Sequence, residues 1–212
     1  MRRSNMECAD LSALCRFSVA GNSSGNVKAP ACWRTRKTLL SAVCVGVLLL
    51  VAGCDSPEQK AARQQKRYAE AKALFEQTTK EHHLPSAQAQ GAERDRLLGL
   101  AAAGYERLVR EYKDQPIWCA PALRSLGNVR ATQGKLDEAV KLYARVGKDY
   151  ADNEWEVIQA WKSAADLLWE AGRQSEAKPY YQQIVTRFGG AGQPAVVQVI
   201  VRAAQRRLAG QS

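Results

Sequence analysis

The 212 residues carry 31 Lys and Arg against 21 Asp and Glu, a formal charge of +10. Seven of those basic residues and two of the acids fall in Met1–Gly53, so the rest of the chain, with 24 basic and 19 acidic residues, is only mildly basic. Its charges are interspersed in sign instead of clustering beside aromatic residues, which argues against nucleic acid as the partner.

Met1–Thr38 is long and featureless, as expected of an over-extended gene start with true initiation near Val27. Thr38–Val51 is almost wholly apolar and follows Arg34, Arg36 and Lys37. A membrane-spanning helix needs about 20 apolar residues, so this stretch reads instead as the hydrophobic part of an export signal. The sequence Val51-Ala52-Gly53-Cys54 that follows resembles a bacterial lipobox. That resemblance implies cleavage before Cys54 and acylation of its thiol, with the small residues Ala52 and Gly53 letting the chain lie extended in the protease. Asp55 resembles the inner-membrane retention signal of enterobacterial lipoproteins. The expectation is a lipid-anchored protein facing the periplasm, with the inner membrane favoured and the outer membrane as the alternative.

Domain boundaries follow: residues 1–53 as signal region, 54–67 as lipidated cysteine and tether, and 68–212 as the folded domain. Cys8, Cys15, Cys32 and Cys44 leave with the signal, so Cys119 stands alone. It is expected either to tuck into a helix start beside Trp118 or to bridge to another chain.

Ser56-Pro57-Glu58-Gln59 has the form of a capping box with proline at the first helical position. Lys60, Arg63, Lys66 and Arg67 then either meet anionic headgroups or belong to a solvated tether. Tyr68–His83 is amphipathic through Tyr68, Ala71, Leu74 and Phe75. Glu70-Ala71 with Phe75 echoes the Glu138-Ala139 and Tyr143 of a later helix, which suggests a degenerate repeat helix. His82-His83 is expected to offer positive partners to the last carbonyls of that helix. Leu84–Gly91, with Pro85, reads as a loop, and Arg94–Lys113 as the next helix.

Ala120–Phe188 contains one helical-hairpin pattern written twice, 38 residues apart. Leu123 recurs as Trp161, Gly127 as Ala165, Gly134 as Gly172, Ala139 as Ala177, Tyr143 as Tyr181, Val146 as Ile184 and Tyr150 as Phe188. One period earlier, Ala101, Tyr105, Leu108 and Tyr112 continue the second half. A fixed period of this size marks a stacked repeat. Gly134 and Gly172 are placed to end helices, and Ala139 and Ala177 to let two helices approach closely. Gln193–Leu208 supplies a terminal helix to cover the last apolar face, stopped by Gly210.

These spaced small and large residues resemble the tetratricopeptide repeat (TPR), over about Ala101–Leu208. Arg130 and Leu168 replace the family's usual aromatic, and its closing proline is absent. The resemblance implies an all-α, right-handed α-solenoid of about two and a half helical hairpins plus a capping helix. It also implies a concave groove lined by the first helix of each hairpin and suited to a peptide or helix of another envelope protein. Carried onto this sequence, the groove positions are Arg124, Asn128 and Ala131, then Lys162, Asp166 and Trp169. Arg124 with Asn128 resembles the start of a clamp for a C-terminal carboxylate, but the remaining clamp positions, near Ser163, Val197 and Val201, offer no second cation. Trp169 is either an anchor for an apolar partner residue or ordinary packing between hairpins.

No hydrolase elbow, metal-binding helix or dinucleotide loop is present, so neither catalysis nor a cofactor is expected. The expected role is a scaffold that serves envelope assembly by binding another envelope protein. The alternative is a self-associating spacer, a homo-oligomer with Cys119 or Trp118 at the contact.

Overall fold

A computed structural model of the protein describes residues 56–210. Helix α1 (Pro57–Thr78) runs through a π-helical stretch, Thr79–His83, into the short α2 (Leu84–Ser86). Six helices follow: α3 (Gly91–Glu111), α4 (Pro116–Thr132), α5 (Leu136–Asp149), α6 (Glu154–Glu170), α7 (Gln174–Phe188) and α8 (Ala195–Leu208).

The capping box at Ser56 forms as its residues dictate. Ser56 Oγ accepts from the Gln59 amide at 3.2 Å, and Gln59 Oε1 accepts from the Ser56 amide at 3.1 Å. Two of the free N–H groups at the helix start are thereby satisfied. Residues 57–67, expected as part of a tether, are consequently the first three turns of α1. The loop expected at Leu84–Gly91 also shrinks, because the Leu84 amide bonds Thr79 O in a π turn. That wider turn carries the chain past Pro85, whose missing N–H would interrupt an α-helical ladder.

The helices pair antiparallel as α1/α3, α4/α5 and α6/α7, and each also packs on the next pair; α8 lies against α7. The first helices α1, α4, α6 and α8 touch in succession along one side, which makes the array an all-α solenoid. The half repeat at Ala101–Tyr112 thus finds its partner in α1. The degenerate repeat helix suggested by Ala71 and Phe75 is α1, which occupies the place of a first helix, packed on α3 and α4.

Two apolar clusters form the core. One joins Leu98, Tyr105 and Leu108 of α3 to Cys119, Leu126 and Val129 of α4. The other runs from Leu123 through Tyr143, Val146, Ile158, Leu168, Tyr181 and Ile184 to Val197 and Ala204. Val109, Leu142 and Tyr150 pack against both, so burial is continuous along the array.

The turns inside the second and third hairpins are identical in bonding. Gly134, at φ +76°, donates to Ala131 O at 2.9 Å, and Lys135 to Arg130 O at 2.9 Å. Gly172, at φ +77°, donates to Trp169 O at 3.0 Å, and Arg173 to Leu168 O at 2.9 Å. Each is a Schellman closure that uses glycine's access to the left-handed region. Gly127 serves differently: a Cβ there would sit 2.5 Å from the Tyr143 ring. Arg130, which stands where the resembled family usually has an aromatic, reaches Glu106 at 2.6 Å and Glu138 at 3.3 Å, tying α4 to helices on both sides.

The two glycines should therefore fail for separate reasons. Gly134→Ala meets open space and should cost about 1–2 kcal/mol through its backbone conformation alone. Gly127→Val should cost about 1–3 kcal/mol by forcing α4 and α5 apart. Urea denaturation of both variants checks this; a Gly127→Val protein as stable as the parent would contradict the packing.

Candidate peptide-binding cleft

The face made by the first helices carries the predicted groove residues, and the second helices hold them from behind. Tyr143, buried on α5, donates its hydroxyl to Asn128 Oδ1 at 2.7 Å. Tyr181, buried on α7, donates to Asp166 Oδ1 at 2.7 Å. In the first hairpin the equivalent Tyr105 hydroxyl meets Thr79 Oγ1 at 2.8 Å and His83 Nδ1 at 2.9 Å. Each tyrosine thus fills the space between two helices and fixes a polar group on the groove side. Burial pushes the Tyr143 phenol up to about 12, so it remains a donor.

The predicted cations are largely neutralised within the fold. Arg124 Nε bonds Glu156 Oε2 at 2.6 Å, linking α4 to α6. Lys162 pairs with the second oxygen of Asp166. Trp169 is half-buried against the core, 5.9 Å from the Tyr181 ring in a T-shaped contact, and the Arg207 guanidinium lies 5.0 Å above it.

An open cleft of about 360 Å³ lies between α6 and α8. Lys162, Asp166 and Glu170 line one wall and Ala203, Arg206 and Arg207 the other, with Ile184 and Ile200 among its apolar lining. Sequence reading found Lys162 and Asp166 but missed the wall from α8. The projected positions Val197 and Val201 are buried in the core instead. The 38-residue register does not carry over to them, because α8 begins 41 residues after α6 whereas α6 begins 38 after α4.

Cys119 is fully buried, and its thiol donates to Tyr112 O at 3.0 Å. Burial pushes its ionisation up. It is the small core residue of the two expectations, and a bridge to another chain would require the helix start to open. Trp118 on α4 packs on Tyr68 at 5.6 Å and on Phe75 at 5.8 Å, both on α1. His83 is likewise engaged with Tyr105 and does not cap carbonyls, because the π stretch turns it toward α3. Among the described residues no group of three or more His, Cys, Asp or Glu could hold a metal ion, and no helix is long and apolar enough to cross a membrane. Cys54 lies outside the described residues.

Two measurements check this geometry. Trp169→Ala should lower stability by about 2 kcal/mol, below the cost of truncating a fully buried tryptophan, as read by urea denaturation. Burial, with Arg124 acting in the same direction, holds the His83 imidazole below its ordinary value. The unfolded chain then protonates first, so stability is full above a pH of about 6.5 and declines as pH falls from there toward the folded value. Melting temperature should fall over that range, and His83→Gln should flatten the profile.

Residues 122–153, which cover most of α4, all of α5 and the link to α6, match the family model described as Tetratricopeptide repeat. No curated protein matches the chain. Domains of this repeat generally bind protein partners. The hairpin geometry of α4 and α5 agrees with that match, so this segment is similar to a tetratricopeptide repeat.

Proposed function

We propose that this protein is a lipid-anchored scaffold on the periplasmic face of a bacterial membrane. It holds a segment of another envelope protein in the cleft between α6 and α8 and so serves envelope assembly. The cleft carries the reading: it lies over the buried Ile184 and Ile200, between walls that keep Glu170 and Arg206 outside any internal ion pair among the described residues. Groups already paired within the fold offer little to a partner, whereas an unpaired carboxylate and guanidinium at opposite walls can fix a peptide's register. The cleft is short, so recognition of a few residues and modest affinity are expected.

Support for the anchor comes from the sequence around Cys54. A basic flank, an apolar core, two small residues and the cysteine stand in the order that a lipobox requires. The inner membrane is favoured by Asp55. Burial of Cys119 and internal packing of Trp118 remove the contact on which a self-associating spacer would depend.

In living bacteria, Cys54→Ala should abolish palmitate incorporation and release the protein from the membrane fraction. A photo-crosslinking amino acid at Glu170 should trap one dominant partner, identified by mass spectrometry. The same probe at Trp155, exposed at the start of α6, should not. Equal adducts from both positions would refute the cleft.

A further inference from the structure

The first three turns of α1 stand apart from the packing that orders the rest of the array. Every residue from Pro57 to Lys66 is exposed. Ten helical residues extend about 15 Å. The array's hold on α1 begins near their end, where Gln115 Nε2 donates to Gln64 Oε1 at 2.8 Å and Arg67 clasps Asp114 and the Glu111 carbonyl.

This arm is polar on all sides. It carries Lys60, Arg63 and Lys66 against the single acid Glu58. Because α3 runs antiparallel to α1, the Arg67–Asp114 clasp also brings the exposed Arg110 and Lys113 to the same end of the first hairpin. Lys66 and Arg110 have acidic neighbours, Glu70 at 3.9 Å and Glu111 at 3.2 Å, but all four side chains are well exposed. Such pairs contribute little and yield readily to another anion. A helix with no apolar stripe has nothing to bury in a protein groove, whose affinity comes mainly from buried anchors. A layer of anionic headgroups asks only for charge.

We propose that this end of the first hairpin, with Lys60, Arg63, Lys66, Arg110 and Lys113, lies on an anionic phospholipid surface. The position of that surface rests on the anchor proposed at Cys54, three residues before Pro57; the charge of the arm does not. From the start of α1, Lys60 is about 6 Å along the helix, inside the roughly 8 Å over which charges act at physiological salt. Lys66 comes within that range when the helix lies flat. The consequence is orientation: the solenoid is held close to the bilayer by its first hairpin, and the cleft between α6 and α8 is at the other end of the array.

Both apolar clusters draw on residues of α1 to α8, so residues 56–212 carry them and can be tested free of lipid. Sedimentation with phosphatidylglycerol-containing vesicles should carry this protein down, phosphatidylcholine vesicles should not, and added salt should release it. Lys60→Glu, Lys66→Glu and Lys113→Glu should each weaken partition by about fivefold or more. Lys178→Glu, an exposed change on α7, should leave it unaltered. Equal binding to both vesicle types, or no binding, would overturn the proposal. So would an equal effect of Lys178→Glu, or binding to polyglutamate without binding to phosphatidylglycerol, which would identify an acidic protein as the partner. Because this protein lacks Cys54, these outcomes are independent of the palmitate experiment that tests the anchor.

Discussion

The structure depends on a small residue opposing a tyrosine ring across the second hairpin, at places that the third repeats. Gly127 faces Tyr143 so closely that a single added carbon would collide with the ring; Ala165 and Tyr181, both buried, occupy the same places in the next hairpin. Close approach does two things at once. It buries the ring between helices, the main source of stability in a repeat array. It also delivers the hydroxyl through to the opposite face, where it fixes Asn128 or Asp166. Core packing and groove chemistry therefore share the same side chains, and a substitution that loosens one disturbs the other.

Electrostatic pairing then divides the groove face along its length. Arg124 and Lys162, the cations expected to receive a partner, are engaged by Glu156 and Asp166. Their contribution is to link α4 to α6 and to set the position of Asp166. Arg206 and Glu170, farther along, have no such partner among the described residues, so the capacity to bind charge lies toward α8. A helix that reads as a cap thus also completes the cleft.

Much of this was legible in the sequence because the 38-residue register repeats small, large and glycine positions together. Gly134 and Gly172, Ala139 and Ala177, and Tyr143 and Tyr181 all fall where the register places them. Legibility failed wherever a link altered the register. The slip before α8 moved Val197 and Val201 into the core and brought Ala203, Arg206 and Arg207 to the cleft. The π stretch at Thr79–His83 rotated His83 onto Tyr105, where Pro85 alone reads as the mark of a loop. Arg124 and Lys162 were placed on the expected face, but their neutralisation required knowing which acids the neighbouring helices bring near. Cys119 shows a similar limit, since a lone cysteine reads alike whether its site is buried or open.

The central claim is that a partner occupies the cleft between α6 and α8. Hydroxyl-radical footprinting of the protein in its native membranes, compared with isolated residues 56–212, tests it most directly. Occupation predicts lower oxidation of Arg206 and Arg207 in the membrane sample, with the exposed Trp155 unchanged. Unaltered oxidation at Arg206 together with protection of Trp155 would contradict the account and place the partner away from the cleft.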